Sequence, residues 1–180
     1  MRIIAGQWRG RTLAAAPAAA TRPTVDRVRE ALFSMLTSRL GSFEGLNVLD
    51  GFAGTGALGL EALSRGAARA WLVEQDRAAA AACAANIRAL GANATLITAP
   101  VASLGPASAA CDLVMLDPPY GEGLAVPALA HLWLRGWIAP HAIISVETGA
   151  KEPLVGIPEG WETLASRSHG KAAIHLLRAA

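Results

Sequence analysis

A short apolar run, Leu46-Asn47-Val48-Leu49-Asp50, gives way to Gly51-Phe52-Ala53-Gly54-Thr55-Gly56-Ala57-Leu58-Gly59 and then continues in a helical pattern to Ser64. A strand that enters a glycine-rich turn and leaves as a helix is the opening unit of an open α/β sheet. Glycine lets the backbone turn tightly and brings helix N–H groups close to a ligand. The string Gly54-x-Gly56-x-x-Gly59 satisfies the dinucleotide fingerprint, and Glu74 stands 20 residues beyond Gly54, at the end of the next apolar run. A carboxylate there can accept both hydroxyls of a ribose, so the pattern points to a nucleoside-containing cofactor.

The order of elements after this unit supports the same architecture. Predicted strands at Leu46–Asp50, Ala70–Glu74, Ala94–Thr98, Asp112–Asp117 and Ala142–Glu147 alternate with predicted helices at Ala57–Ser64, Arg77–Leu90 and Val126–Leu134. Such alternation means βαβ units and a mainly parallel sheet. Two further strands, Trp161–Arg167 and Ala172–Leu177, flank Ser168-His169-Gly170-Lys171 and predict an antiparallel hairpin at the end of the chain. An amphipathic helix is expected from Thr24 to near Gly41. At the N-terminus, Arg2–Ala5 and Arg11–Ala14 read as short strands around the loop Gly6-Gln7-Trp8-Arg9-Gly10, and a flexible stretch is expected from Ala15 to Ala20.

Composition limits the classes open to the chain. Its 180 residues, 53% hydrophobic and 17% charged, suit one well-filled domain with a small appendage and argue against disorder. No apolar run approaches the roughly 18 residues of a membrane span, and the N-terminus lacks the apolar core of a signal peptide, so a cytoplasmic protein is expected. Cys83 and Cys111 stand outside any cluster with metal-ligand spacing and read as core residues; no metal is expected. The formal charge of +2 is unevenly spread. The first 40 residues hold seven arginines against Asp26 and Glu30, which hints at a polyanion-binding arm or at an ordinary solvated surface.

Two cofactor classes compete for the glycine loop. A nicotinamide dinucleotide would place its pyrophosphate there and would be repelled by an acid at the start of the loop. Asp50 is such an acid. It suits the positively charged amino-acid end of S-adenosyl-L-methionine, although a helix-capping or turn role is its alternative.

A second motif follows the fourth predicted strand: Asp117-Pro118-Pro119-Tyr120. Each proline fixes φ near −65° and lacks an N–H, which ends the strand and leaves the Pro118 carbonyl rigidly aimed. A carboxylate and a carbonyl facing the same way match the two hydrogens of an amino group on a flat ring, and Tyr120 offers that ring a stacking surface. By itself the tetrapeptide reads as a strand-terminating turn, and the rest of the chain must carry the functional reading.

With the loop from Asp50 to Arg65, Asp117-Pro-Pro-Tyr resembles the class I S-adenosylmethionine-dependent methyltransferases that act on exocyclic amines. The segments Arg2-Ile-Ile-Ala-Gly-Gln-Trp-Arg-Gly-Arg and Thr21-Arg-Pro-Thr-Val-Asp-Arg-Val-Arg-Glu-Ala-Leu-Phe are similar to the bacterial RsmD type, the small-subunit ribosomal RNA guanine-N2 methyltransferases. The resemblance spans nearly the whole chain. It implies a Rossmann-like α/β fold whose seven-stranded, mostly parallel sheet has an antiparallel last strand. To this it adds an N-terminal β-hairpin (residues 1–20) beside a methyltransferase domain (residues 21–180). It further implies a monomer acting on a guanine of 16S rRNA within the 30S subunit.

On this reading Asp117, Pro118, Pro119 and Tyr120 form the catalytic motif, while Asp50, Phe52, Gly54, Gly56 and Glu74 bind the cofactor. Arg2, Arg9 and Arg11 contact phosphates, and Trp8 stacks on a base or folds onto the domain. The stretch Thr98-Ala99-Pro100-Val101 departs from the family pattern by lacking an acidic or amide residue, which leaves adenine recognition to the Val101 backbone N–H and apolar packing. An adenine-N6 methyltransferase and a nicotinamide-dependent oxidoreductase remain the alternatives, and a non-catalytic RNA-binding module would have no use for the tetrapeptide.

Overall fold

In the computed structural model, which describes residues 1–15 and 23–180, the chain forms a seven-stranded sheet with helices on both faces. The elements are α1 (Pro23–Leu40), β1 (Asn47–Asp50), α2 (Ala57–Ser64), β2 (Arg69–Val73), α3 (Arg77–Leu90), β3 (Ala94–Ile97), a 3-10 turn (Val101–Ser103), β4 (Cys111–Leu116), α4 (Ala125–Leu134), β5 (Ile138–Gly149), β6 (Glu162–His169) and β7 (Ala172–Arg178). The sheet order is β3-β2-β1-β4-β5-β7-β6, and β7 runs antiparallel between β5 and β6. The stretch expected to be flexible falls, from Ala16 on, outside the described residues, as do Thr21 and Arg22.

Alternation along each strand divides the interior into two layers. Val48, Leu72, Leu113, Met115, Ile174 and Leu176 face α1 and α2 on one side. Leu49, Trp71, Val114, Leu116, Ile144, Val146 and Leu177 face α4 and the 3-10 turn on the other. The helix predicted from Thr24 is present, and it buries Val28, Leu32, Phe33 and Leu36 against the first layer. One expectation was too short: β5 runs well beyond Ala142–Glu147. Its pairing with β4 jumps from Cys111↔Ile138 to Leu113↔Ile143, so extra residues bulge out between the two parts of the strand. His141, in that bulge, has φ of 63°.

The N-terminal segment differs more. Two strands are expected there, but only a single antiparallel bridge, Arg2↔Thr12, forms. Glu61 and the end of α2 organise the rest. Glu61 is fully buried and accepts from the backbone N–H groups of Ile4 (2.7 Å) and Ala5 (3.0 Å) and from Arg65 Nε (2.9 Å). Ser64 Oγ accepts from Trp8 N–H (3.0 Å) and donates to the Ala5 carbonyl (2.6 Å), while Gln7 N–H donates to the Ser64 carbonyl (2.8 Å). Ile3 and Leu13 are buried in the main core. Three backbone bonds also join the two arms, Ile3 N–H to Arg11 O (3.0 Å), Gly10 N–H to Ile3 O (2.9 Å) and Leu13 N–H to Met1 O (3.0 Å), and the donors satisfied by α2 add to this pairing.

Candidate active site

Strand order creates the site. Sequential numbering reverses between β1 and β4, which pair through Val48↔Leu113, Leu49↔Val114 and Asp50↔Met115. Connections leave these two strands in opposite directions along the sheet, so a crevice opens beyond their carboxyl ends. The glycine loop leaves β1 and Asp117-Pro-Pro-Tyr leaves β4, on its two sides. The crevice is a cavity of about 520 Å³. Its wall carries Phe52, Glu74, Val101 and the whole tetrapeptide Asp117, Pro118, Pro119 and Tyr120, residues drawn from four separate stretches of sequence.

The glycine loop is shaped by close packing. A Cβ at Gly59 would lie 2.1 Å from Leu72 Cδ2 and 3.4 Å from Asp50 Cβ, so only glycine lets α2 rest on β1 and β2 at this depth. Gly56 caps α2 with φ of 88°, where a side chain is strained. Neither Gly54 nor Gly56 lies on the cavity wall; they set the course of the loop, and Gly51 and Phe52 form the surface.

The N–H groups of the loop are largely committed within the protein. Gly51 donates to Met115 O (2.9 Å), Ala53 to Val73 O (2.9 Å) and Gly56 to Ala53 O (2.7 Å). Gly54 donates to Glu74 Oε2 (2.7 Å) and Gly59 to Asp50 Oδ2 (3.0 Å). A pyrophosphate would find few donors here, since two acids already take the places an anion needs. Glu74 Oε1 also accepts from Asp76 N–H (2.7 Å). Each oxygen of this carboxylate keeps a second lone pair, and the residue lines the cavity.

Asp50 is placed differently from the sequence expectation. It is fully buried and absent from the cavity wall. Its position on the last residue of β1, under the turn, seals it behind Gly51. Oδ1 has no hydrogen-bond partner among the described residues. Burial pushes its carboxyl up to about 7; the Gly59 bond opposes this and the Glu74 charge adds to it. A carboxyl raised on folding stabilises the native state in its protonated form, so this contribution is complete at acid pH and is lost as pH rises from the ordinary carboxylate range to about 7. Asp50→Asn keeps an acceptor for Gly59. The melting temperature of the variant is expected to decline less than that of the wild type between about pH 5 and pH 8, with a full effect on the order of a few kcal/mol; parallel declines in a thermal melting series would contradict this.

The second acid of the site, Asp117, is open to the cavity yet hemmed in by protein atoms. Burial, then Glu147, then Asp50 hold its carboxyl above the ordinary range. Glu147 and Asn86 escaped the sequence reading. Glu147 sits on β5 beside Asp117 and accepts from the Tyr120 hydroxyl; an acid at the carboxyl end of the strand beside β4 was the available signal. Asn86 accepts from Ala14 N–H (2.7 Å) and donates to Ala14 O (3.0 Å) and Thr55 O (2.9 Å), which couples the N-terminal segment to the glycine loop. Its signal was a lone amide in an alanine-rich helix.

The basic residues stand apart from this crevice. Segment 4–8 is bonded to Glu61 and Ser64, the end of α2 remote from the glycine loop. Arg2, Arg9 and Arg11 are exposed, and Arg11 Nη2 donates to Ala89 O (3.0 Å) at the end of α3. Trp8 is half-buried against the main core, so the indole folds onto the domain instead of standing free as a base-stacking surface.

Relatives match nearly the whole chain. Ribosomal RNA small subunit methyltransferase D of Escherichia coli is 40% identical over 178 residues, covering 98% of this chain and 88% of the relative. The protein of the same name from Haemophilus influenzae is 39% identical over 184 residues, covering 98% and 92%. A solved structure described as a putative methyltransferase, yhhF, from Escherichia coli superposes with a TM-score of 0.88 at 38% identity, covering 99% of this chain and 97% of that one. The family model described as Conserved hypothetical protein 95 matches residues 1–178, and with these full-length methyltransferase relatives the chain belongs to that family.

Proposed function

We propose that this protein transfers a methyl group from S-adenosyl-L-methionine to the exocyclic N2 of a guanine in 16S rRNA of the small ribosomal subunit. One observation carries the reading: a single cavity holds Glu74 and the glycine loop on one side and Asp117-Pro-Pro-Tyr on the other. Full-length relatives named as small-subunit ribosomal RNA methyltransferases support the RNA class. The choice of N2 rests on the resemblance of the N-terminal segments to the guanine-N2 enzymes.

The residues present fit this cofactor. Glu74 is oriented for the ribose, and Val101 opens the 3-10 turn, where a backbone N–H has no acceptor within the turn. Phe52 and Pro100 supply apolar wall. Asp50 Oδ1 is an unsatisfied buried acceptor behind the loop, and its charge suits an ammonium group. S-adenosyl-L-methionine supplies, when bound, a methyl group already activated by its sulfonium. What remains for the protein is alignment, the largest source of rate in a direct transfer between two bound groups.

Asp117 and the Pro118 carbonyl hold the amine hydrogens and so turn the nitrogen lone pair toward the methyl donor. Tyr120, exposed at the mouth, stacks on a base that has left its surroundings. Asp117 accepts the proton as the new bond forms, when the amine first becomes acidic. Incubating 30S particles from a strain lacking the enzyme with labelled cofactor, then mapping the modified nucleotide, tests the whole reading. Label on an adenine, or no label with active protein, would refute it.

Cations near the N-terminus act at a distance from the reacting base. Arg11 is held at the end of α3 and Arg9 follows the segment anchored on the last turn of α2, both off the cavity wall, so their expected role is to hold phosphates of a large folded particle. Neutralising both is expected to weaken 30S binding several-fold and to lower the salt dependence by about one ion for each phosphate no longer held. Cofactor affinity should not change. Equal particle binding in a salt titration would exclude these arginines from the interface.

A further inference from the structure

Tyr120 is the chain's single tyrosine, and 48% of it is exposed. Packing does little to hold a ring so placed, and its hydroxyl is instead tied to Glu147 Oε1. The loop behind it is tied as well: Glu152 Oε2 accepts from the N–H groups of Gly121 (3.1 Å) and Gly149 (3.3 Å), one on each side of the strand edge. Two glutamates from the end of β5 thus fasten the segment that follows the two prolines.

Register adds a second relation. Leu116 pairs with Val146, so Asp117, just past the end of β4, and Glu147, still within β5, stand one residue further on at the same level of neighbouring strands. Adjacent strands lie about 4.8 Å apart. The charges that act on Asp117 are those of Glu147 from β5 and Asp50 from β1. The groups facing Glu147, besides Asp117, are the Tyr120 hydroxyl and, at the end of β6, His169. Both carboxyls are held above their ordinary range, by burial first. A mere tie for Tyr120 needs only an acceptor; it does not need a second charge set beside Asp117.

We propose that Glu147 is a positioning residue of the methyl-transfer site, which fixes the Tyr120 ring over the acceptor base and forms with Asp117 an acid pair that receives the proton leaving the methylated amine. The proposal rests on the reading of the cavity as a site of amine methylation. In the step, a nitrogen–carbon bond forms as the sulfur–carbon bond breaks, with its electron pair retained by sulfur. The positive charge passes to nitrogen, and the proton shed from nitrogen goes to the Asp117 carboxylate. Before the transfer both acids are ionised, and after it they share the one proton received, until it escapes to water.

Protein labelled with isotope at the Cζ of tyrosine gives one signal, which senses ionisation beside the ring without RNA or cofactor. Glu147→Gln keeps an oxygen that accepts from the Tyr120 hydroxyl but removes the neighbouring charge. Asp117 then titrates alone, and the step reported by Tyr120 is expected to move down by at least about one pH unit. With 30S particles as substrate, the acid limb of kcat, where activity is lost as Asp117 protonates, should move down by the same amount. Glu147→Ala and Tyr120→Phe, which break the tie, should raise KM for the particle several-fold, whereas Glu147→Gln should leave it near the wild-type value.

An unmoved titration step in Glu147→Gln would overturn the acid pair, and an unchanged KM in Glu147→Ala would overturn the tie. Failure of the wild-type protein to methylate the particles would instead count against the functional reading, and the titration step would still decide the pairing.

Discussion

Replacing Asp117 with Ala is expected to abolish methyl transfer, with a loss of at least about 100-fold in kcat, the scale seen when one preorganised group at a reacting atom is removed. Cofactor binding should remain measurable by calorimetry, because Glu74, Phe52 and Val101 reach the cavity from other elements. The fold should persist as well. Asp117 is open to the cavity and feels the negative charges of Glu147 and Asp50, so the truncation relieves repulsion. Single-turnover methylation of 30S particles at saturating cofactor is the measurement. Activity within a few-fold of wild type would remove Asp117 from the mechanism, and the tetrapeptide would then be a turn that ends β4.

Glu61→Ala should have the largest effect on stability, a loss of about 3 kcal/mol or more, because it leaves a partly buried Arg65 and the N–H groups of Ile4 and Ala5 without their acceptor. The damage should be concentrated at the N-terminus. Gly6 shows how closely that segment is applied to α2: a Cβ there would lie 1.8 Å from the Ser64 carbonyl oxygen, so the segment has no room to shift and re-pair. Hydrogen exchange should report faster exchange of the Ile4, Ala5 and Trp8 amides, together with a lower denaturation midpoint. Unchanged exchange at those amides would mean that the segment is held by Ile3 and Leu13 alone.

Much of the site is legible in the sequence because its parts are local. Gly54, Gly56 and Glu74 belong to one βαβ unit whose spacing is set by the length of a strand and a helix, and Asp117-Pro-Pro-Tyr is contiguous. The element order predicts a parallel sheet, and the terminal hairpin predicts its antiparallel last strand. Glu147 was not legible, since its role depends on the pairing of Leu116 with Val146 across 29 intervening residues. Glu61 was hidden by its position in an ordinary helical pattern, where an acid reads as a solvated face.

Two placements follow from α2 and the turn before it. Asp50 lies buried beneath the tight turn at Gly51, off the cavity wall. Arg2, Arg9 and Arg11 form a basic cluster in sequence, and the direction of α2 carries their anchor points away from the crevice.

The chain alone determined which motifs are present: a βαβ unit with a glycine turn and an acid after its second strand, the tetrapeptide Asp117-Pro-Pro-Tyr and an arginine-rich N-terminus, each set by neighbours within a few tens of residues. Only the tertiary structure decided which of these act together. Strand order places β1 beside β4, and that adjacency, enforced by apolar layers on both faces of the sheet, turns two distant motifs into one cavity. The same packing sets Glu147 beside Asp117 and leaves the arginines at the other end of α2, because side-chain proximity across a sheet follows from register, which no local pattern encodes.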